Sequence, residues 1–375
     1  MAMKKPDRER HEQPAKALRI SRRNLLKTTP LALAAGSMAV PPLLASLAGE
    51  SNAQVNSGNL HLEPKYYPLS NFTPEINLQG KLAIVTGASR GNGRAVGEAL
   101  AALGVNVIGT SRNPAGVPNP PAFPLLALDI ADAKSIFAFR KALFSHPTFL
   151  QRGKVDILVN NAGRNVLGRI TPPSSPKDLG FFLKQRDLGF RTLYSGHVMM
   201  TNTMLPLMSQ NQYARIIFTV SVTSYFSGAA IAAGSYTDVY FSSKNALRVY
   251  ANNLATALRA SGSIVRVSTV NPYSINTKLA EHPNPIYTQP VNNLGLSDTD
   301  PAFNEVVTLT RQLLANALPT SMVGQTYAQL LSMAEPERNV VVASPQEPFA
   351  TQGANAIVEG LIIAENQISA VPFGC

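Results

Sequence analysis

The stretch Leu82-Ala83-Ile84-Val85-Thr86-Gly87-Ala88-Ser89-Arg90-Gly91-Asn92-Gly93 decides the fold. Four apolar residues run directly into a glycine-rich turn. A helix-length segment follows from about Gly91 to Leu103, with Gly104 placed to end it. At such a strand-to-helix junction each glycine has its own task. Gly87 permits the tight turn, Gly91 lets the backbone approach a pyrophosphate, and Gly93 allows the helix to pack closely on the strand. The free N–H groups and positive dipole of the helix N-terminus then face the phosphates, with Ser89 and Arg90 inside the loop.

Outward from this point the pattern repeats. Short apolar runs (Val105–Ile108, Leu125–Leu128, Ile157–Val159, Ile216–Val220, Val265–Val270) alternate with helix-length segments, and Asn339–Ala343 offers a last strand. Near-continuous apolar strands separated by helices call for βαβ units, with both faces of the sheet buried. The expected class is α/β: a single-domain Rossmann fold, a doubly wound parallel sheet with helices on both faces, over residues 80–345. Residues 54–79 are polar and proline-containing and read as a linker. Residues 346–375, with a helix around Ala354–Ala364, read as a C-terminal extension suited to oligomerisation or docking.

Composition narrows the chemistry. Of the net charge of +11, +5 lies in residues 1–53, where nine Lys/Arg face four acidic residues. No compact basic patch with interleaved aromatics remains elsewhere, which disfavours a nucleic-acid partner. The single cysteine, Cys375, excludes an intramolecular disulfide and a Cys-based zinc site. His11, His61, His146, His197 and His282 show no metal-ligand spacing, so no metal is expected and His197 reads as a helix-face residue without special duty.

Ser21-Arg22-Arg23-Asn24-Leu25-Leu26-Lys27 resembles a twin-arginine export signal, with Leu25 in the usual Phe position. The apolar stretch Pro30–Ala48, interrupted by Pro30, Gly36, Pro41 and Pro42, suits the core of a cleaved signal better than a membrane span. Residues 1–53 are thus expected to direct export to the periplasm through the twin-arginine machinery, with cleavage after Ala53; retention as an anchor is the alternative. The resemblance implies export in the folded state. An exported redox enzyme would need a tightly held cofactor.

From the glycine loop onward the chain resembles the short-chain dehydrogenase/reductase family, with its T-G-x-x-x-G-x-G fingerprint, over about Leu78–Ala343. Asn160-Asn161-Ala162-Gly163 matches N-N-A-G, which borders the cofactor, and Asp129-Ile130 matches the pair that contacts adenine. Pro272-Tyr273-Ser274-Ile275-Asn276-Thr277 resembles the P-G-x-x-x-T segment beside the nicotinamide, with Tyr273 replacing Gly; Pro272, Ile275 and Thr277 carry that match. At the end of the second strand an acid would hydrogen-bond a free ribose 2′-OH, but the chain has Ser111 followed by Arg112. Two guanidinium groups, Arg90 and Arg112, favour a 2′-phosphate and hence NADP over NAD.

Tyr240-Phe241-Ser242-Ser243-Lys244 reproduces the family's Y-x-x-x-K. Residues at i and i+4 share a helix face. The Lys244 ammonium, together with an oxidised nicotinamide, is expected to lower the Tyr240 phenol so that it acts as general acid/base. Ser221 at the end of the fifth strand is the expected substrate-orienting serine, with Ser224 as the alternative. Leu193 stands where the family often has an Asn that holds a relay water, so the relay is rerouted, turnover is slow, or catalysis is lost.

The leading expectation is an NADP-dependent oxidoreductase acting on a carbonyl/secondary-alcohol pair, with Ser221, Tyr240 and Lys244 as its catalytic residues. A non-catalytic dinucleotide-binding protein, and an exported enzyme recycling a tightly bound cofactor, are the alternatives. The apolar segments Ser224–Ile231 and Pro283–Pro290 suggest an uncharged, partly hydrophobic substrate, and the family resemblance implies a homo-oligomer.

Overall fold

Side chains that alternate between the two faces along continuously buried apolar runs produce two hydrophobic layers, one on each side of a sheet. The computed structural model describes residues 66–164, 176–208, 212–225, 234–273, 275, 277 and 317–342. The signal segment, the C-terminal extension and the Pro283–Pro290 segment lie outside the described residues, as does 226–231. The strands are β1 (Tyr66–Tyr67), β2 (Leu82–Val85), β3 (Asn106–Ser111), β4 (Leu125–Ala127), β5 (Ile157–Asn160), β6 (Ala214–Thr219), β7 (Val265–Pro272) and β8 (Asn339–Val342). The α-helices are α1 (Gly91–Ala102), α2 (Ala133–Phe144), α3 (Pro147–Arg152), α4 (Pro176–Phe190), α5 (Gly196–Met204), α6 (Gly234–Ala260) and α7 (Thr320–Leu331).

All pairings among these strands are parallel, in the order β1-β8-β7-β6-β5-β2-β3-β4. Leu82 and Ile84 of β2 point into one core layer, with Ile136 and Phe139 of α2, Met200 and Met204 of α5, and Leu247 and Ala251 of α6. Ala83 and Val85 point the other way, onto Val96 and Leu100 of α1 and Val323, Tyr327 and Leu330 of α7. The period of two in each strand thus feeds both layers, which makes a doubly wound α/β sheet. β2 lies between β3 and β5, so the chain reverses direction across the sheet at that point. A crevice at such a switch point, beyond the carboxyl ends of the strands, is where open α/β sheets bind ligands.

One boundary differs from the sequence expectation. β3 does end at Ser111 as expected, because Gly109, Thr110 and Ser111 pair with Leu125, Leu126 and Ala127. The expected linker 54–79 is no free linker over its described part, 66–79. Tyr66 and Tyr67 pair with Val341 and Val342 at the sheet edge, and the side chains of Tyr67 and Leu78 are buried. The amide of Gln329 exchanges two 2.8 Å hydrogen bonds with the Leu69 backbone, while the Glu75 and Ile76 N–H groups donate to Ser332 O. Covering an exposed strand edge satisfies backbone groups that β8 would otherwise leave open. The described residues all belong to one unit, Leu62–Cys375.

At the opposite end of the strands one buried charge is ion-paired and another rests on carbonyls. The buried Asp156 carboxylate accepts from the Leu82 N–H at 2.8 Å and from Arg152 Nε and Nη2, each at 2.8 Å. Arg215 donates to the carbonyls of Met333 and Ala334 just beyond α7.

Candidate active site

The glycine loop leaves β2 at Thr86, whose hydroxyl joins it to the end of β5. Thr86 Oγ1 accepts from the N–H groups of Asn161 (2.8 Å) and Ala162 (3.0 Å) and donates to Val159 O (3.2 Å). Gly87 has φ of +66°, and a Cβ there would lie 2.8 Å from Ala162 Cα. A Cβ at Gly93 would collide with Gly87 O and Asn161 Nδ2. Close approach of three backbones therefore requires glycine at both positions.

Arg90 precedes α1 with extended backbone and makes no capping hydrogen bond, and no acidic residue stands in the first turn. The first N–H groups of α1 therefore meet no capping side chain, and such a terminus suits an anion. Ser89 is half-buried in the loop, and Gly91 faces Thr277. Ser111 closes β3 half-exposed, with Arg112 exposed beyond it. Asp129 is exposed and turns its carboxylate onto the Ala131 N–H at 3.0 Å; Ile130 is buried, and its carbonyl lies where a Cβ on Gly196 would fall. Gly163 is exposed beside Leu193, Pro272 ends β7, and the buried Ile275 bridges to Leu318.

Sequence reading missed a third cation at this rim. Arg164 is half-buried, and burial followed by the neighbouring charge of Arg112 pushes its guanidinium below the ordinary range, while Asp129 pulls the other way. An uncapped helix N-terminus, a cradle that tolerates no Cβ, and three arginines fit a dinucleotide diphosphate with further negative charge.

The groups expected to react stand on α6 and just past the end of β6. Lys244 is 4% exposed, and its ammonium donates to Thr219 O at 2.7 Å. Its Nζ lies 5.9 Å from the centre of the Tyr240 ring. Burial lowers the Lys244 amine to about 7. Burial also raises the Tyr240 phenol, and a hydrogen bond with Ser221 opposes that rise. The lowering expected of Tyr240 is thus not produced by Lys244 within the chain: loss of water outweighs the neighbouring group. A charged ligand would have to supply the rest.

Ser221, just past β6, is the serine brought to Tyr240. Ser224 is fully buried in the turn Val222–Tyr225, its hydroxyl unpartnered and its carbonyl held by Asn245 Nδ2 at 2.7 Å. Leu193 lies in a five-residue π-turn, Arg191–Ser195, that interrupts the helical run from α4 to α5. Its side chain is buried with Val239 against Tyr240 and Phe190, forming an apolar wall where the family often places an amide. Such turns within helices recur at functional sites.

His197 is no idle helix-face residue. It is fully buried, with Nε2 2.8 Å from Ala162 O and Nδ1 3.4 Å from Asn160 Oδ1, and Asn160 Nδ2 donates to Thr201 Oγ1 at 2.9 Å. Burial, then the charge of Lys244, lowers the imidazole to about 3. His197 therefore stays neutral and ties α5 to the Asn160–Gly163 loop. A lone histidine with no patterned partner gives no sequence signal for this role.

A family model described as short chain dehydrogenase matches residues 81–286, from the first core strand past Tyr240 and Lys244. The chain belongs to the short-chain dehydrogenase family. It is 43% identical over 93 residues to the 3-oxoacyl-[acyl-carrier-protein] reductase FabG of Vibrio cholerae, a match over 24% of this chain and 36% of the relative. It is 28% identical over 219 residues to a dehydrogenase/reductase SDR family protein 7-like of Anopheles gambiae, over 54% of this chain and 62% of the relative. The chain thus spans less than two thirds of the length of either curated relative.

Among solved structures it resembles a short chain dehydrogenase/reductase from Burkholderia phymatum in complex with NAD (TM-score 0.56, 21% identity, 80% of this chain and 99% of that one). It also resembles a short chain dehydrogenase from Burkholderia cenocepacia in complex with NADP (TM-score 0.51, 21% identity, 71% and 98%). At these identities the structural likeness establishes the doubly wound fold.

Proposed function

We propose that this short-chain dehydrogenase is an NADP-preferring oxidoreductase that interconverts a carbonyl compound and its secondary alcohol. The observation that carries the reading is the buried Lys244 with its Nζ 5.9 Å from the centre of the Tyr240 ring, with Ser221 beside that phenol and the uncapped N-terminus of α1 at the same edge of the sheet. When bound, a nicotinamide dinucleotide supplies or takes the hydride. Gly87, Ser89, Gly91, Gly93, Asn160, Ala162, Gly163, Pro272, Ile275 and Thr277 would hold it, with Asp129 and Ile130 at the adenine. Arg90, Arg112 and Arg164, with Ser111 in place of an acid, support a 2′-phosphate.

In reduction, Tyr240 Oη gives its proton to the substrate oxygen as that oxygen becomes a hydroxyl, while Ser221 Oγ donates to the same oxygen and orients it. In oxidation the phenolate takes the hydroxyl proton. The raised phenol keeps Tyr240 protonated at neutral pH, the form that reduction requires. Lys244, with an amine near 7, supplies positive charge to the phenolate below that pH. Leu193, Val239 and Phe190 pack against Tyr240 and keep water from it, which strengthens these interactions.

We further propose that residues 1–53 direct twin-arginine export to the periplasm, with the cofactor carried in a tightly held state, and that the enzyme is a homo-oligomer. The apolar Leu193 is the one observation that favours a non-catalytic dinucleotide-binding role instead. Denaturing the purified mature protein and identifying the released nucleotide tests the central reading. Near-stoichiometric NADP is the expected result. NAD would overturn the arginine argument, and a protein that neither releases nor binds either nucleotide would favour another role for the fold.

A further inference from the structure

Ser221 does not present a freely rotating hydroxyl to Tyr240. Its oxygen carries one O–H and two acceptor positions. The backbone N–H of Thr223 donates to Ser221 Oγ at 3.3 Å, and the Thr223 hydroxyl donates to the same atom at 2.9 Å. Both acceptor positions are then taken, and the one direction left is the Ser221 O–H. Its remaining partner is the phenol oxygen of Tyr240.

The turn that follows fixes this arrangement. Val220 N–H donates to Val270 O at 2.8 Å and Ser224 N–H donates to Ser221 O at 3.0 Å, so the backbone on both sides of Ser221 is pinned. Thr223 is β-branched and stiff at χ1, which suits it to hold a hydroxyl in one direction.

We propose that Thr223 is a positioning residue that commits the Ser221 hydroxyl to donate, to the Tyr240 oxygen in the free enzyme and to the substrate oxygen once a substrate takes that place. The proposal rests on the catalytic reading of Tyr240 and Ser221. Its consequence is directional. A serine able to accept would take the Tyr240 proton into a hydrogen bond and stabilise the neutral phenol. A serine that only donates stabilises the phenolate instead, and points its hydrogen where negative charge collects on a carbonyl oxygen. The threonine hydroxyl thereby sets the sense of the Ser221–Tyr240 bond without touching substrate.

Thr223→Val separates this role from that of a simple turn residue. It keeps the shape and the backbone N–H bond to Ser221 and removes only the hydroxyl donor. The phenol of Tyr240 can be followed by ultraviolet titration of the full chain, with Tyr240→Phe as the reference that cancels the other ten tyrosines. Thr223→Val should raise the Tyr240 midpoint by about half a unit to one unit. Thr223→Ser should restore it.

Adding Thr223→Val to Ser221→Ala should produce no further shift, because the threonine acts through the serine. Turnover of acetophenone or cyclohexanone with NADPH should fall about tenfold in Thr223→Val at unchanged KM. A Thr223→Val titration that overlays the wild type, or a full shift persisting on the Ser221→Ala background, would overturn the proposal. If Thr223→Val fails to fold, the Thr223→Ser and Thr223→Ala titrations decide in its place: equal midpoints in those two variants would overturn it. Should Tyr240→Phe retain wild-type turnover, the underlying catalytic reading fails. Loss of turnover in Tyr240→Phe with no effect of Thr223→Val leaves that reading standing and removes Thr223 alone.

Discussion

Two buried charges at the two ends of the same sheet, Asp156 and Lys244, are held in opposite ways. At the amino ends of the strands, Asp156 is buried yet saturated: the Leu82 N–H and a two-point contact with Arg152 occupy both carboxylate oxygens. At the carboxyl ends, Lys244 is as deeply buried, but the partner it holds is a carbonyl, and its amine falls to about 7. His197 beside the Asn160–Gly163 loop is held neutral in the same surroundings. One end spends its ion pair on holding β2 and β5 in register. The other keeps a cation short of counter-charge and a phenol short of water, a state of higher energy that an anionic ligand would relieve.

The comparison can be broken most forcefully at Tyr240. Tyr240→Phe should cut carbonyl reduction by about a thousandfold with the unfolding midpoint unchanged, as read by steady-state kinetics beside urea denaturation. A large loss of stability with little loss of rate would reverse the assignment of the two ends. Asp156→Ala should do the opposite. It leaves Leu82 N–H and Arg152 without a partner and should cost about 2 to 3 kcal/mol in urea, a figure reduced because Arg152 is about a third exposed, while kcat stays within twofold. Arg112→Asp should weaken NADP binding by about thirtyfold and leave NAD binding nearly unchanged, measured by calorimetry at fixed salt. Equal losses for both nucleotides would sink the 2′-phosphate reading.

The smallest effect is a slope. The Lys244 amine lies at about 7 in the folded chain and at 10.5 in the unfolded one. Between those values the unfolded chain binds the extra proton, so stability rises with pH across that window and the penalty is greatest below pH 7. The wild type should gain about 1 to 2 kcal/mol on Lys244→Met between pH 7 and pH 9, in ligand-free protein. Parallel curves would mean that Lys244 is not desolvated.

Residues whose chemistry is written in local spacing were legible from the chain. Gly87 and Gly93 are needed where a strand turns into a helix, and Tyr240 and Lys244 stand one helical turn apart, so a short stretch of letters carries each. Ser221 was reachable by counting along β6, although the choice against Ser224 needed the turn Val222–Tyr225 to be seen. Arg164, His197 and Thr223 were out of reach because each acquires its role from a partner on another element or from the direction of a hydroxyl. The edge strand Tyr66–Tyr67 was read as linker for the same reason: its partners, Val341 and Val342, lie at the far end of the chain.

The sequence by itself determined the doubly wound class, the phosphate-binding turn and the Tyr–Lys pair, since all three follow from periodicity and from spacing within one or two elements. Only the tertiary structure decided the protonation of the site. The packing of Leu193 and Val239 against Tyr240, the desolvation of Lys244, the neutral state of His197 and the donor sense of Ser221 depend on which atoms surround each group. Electrostatic free energies are set by that surrounding, and segments distant in sequence supply most of it.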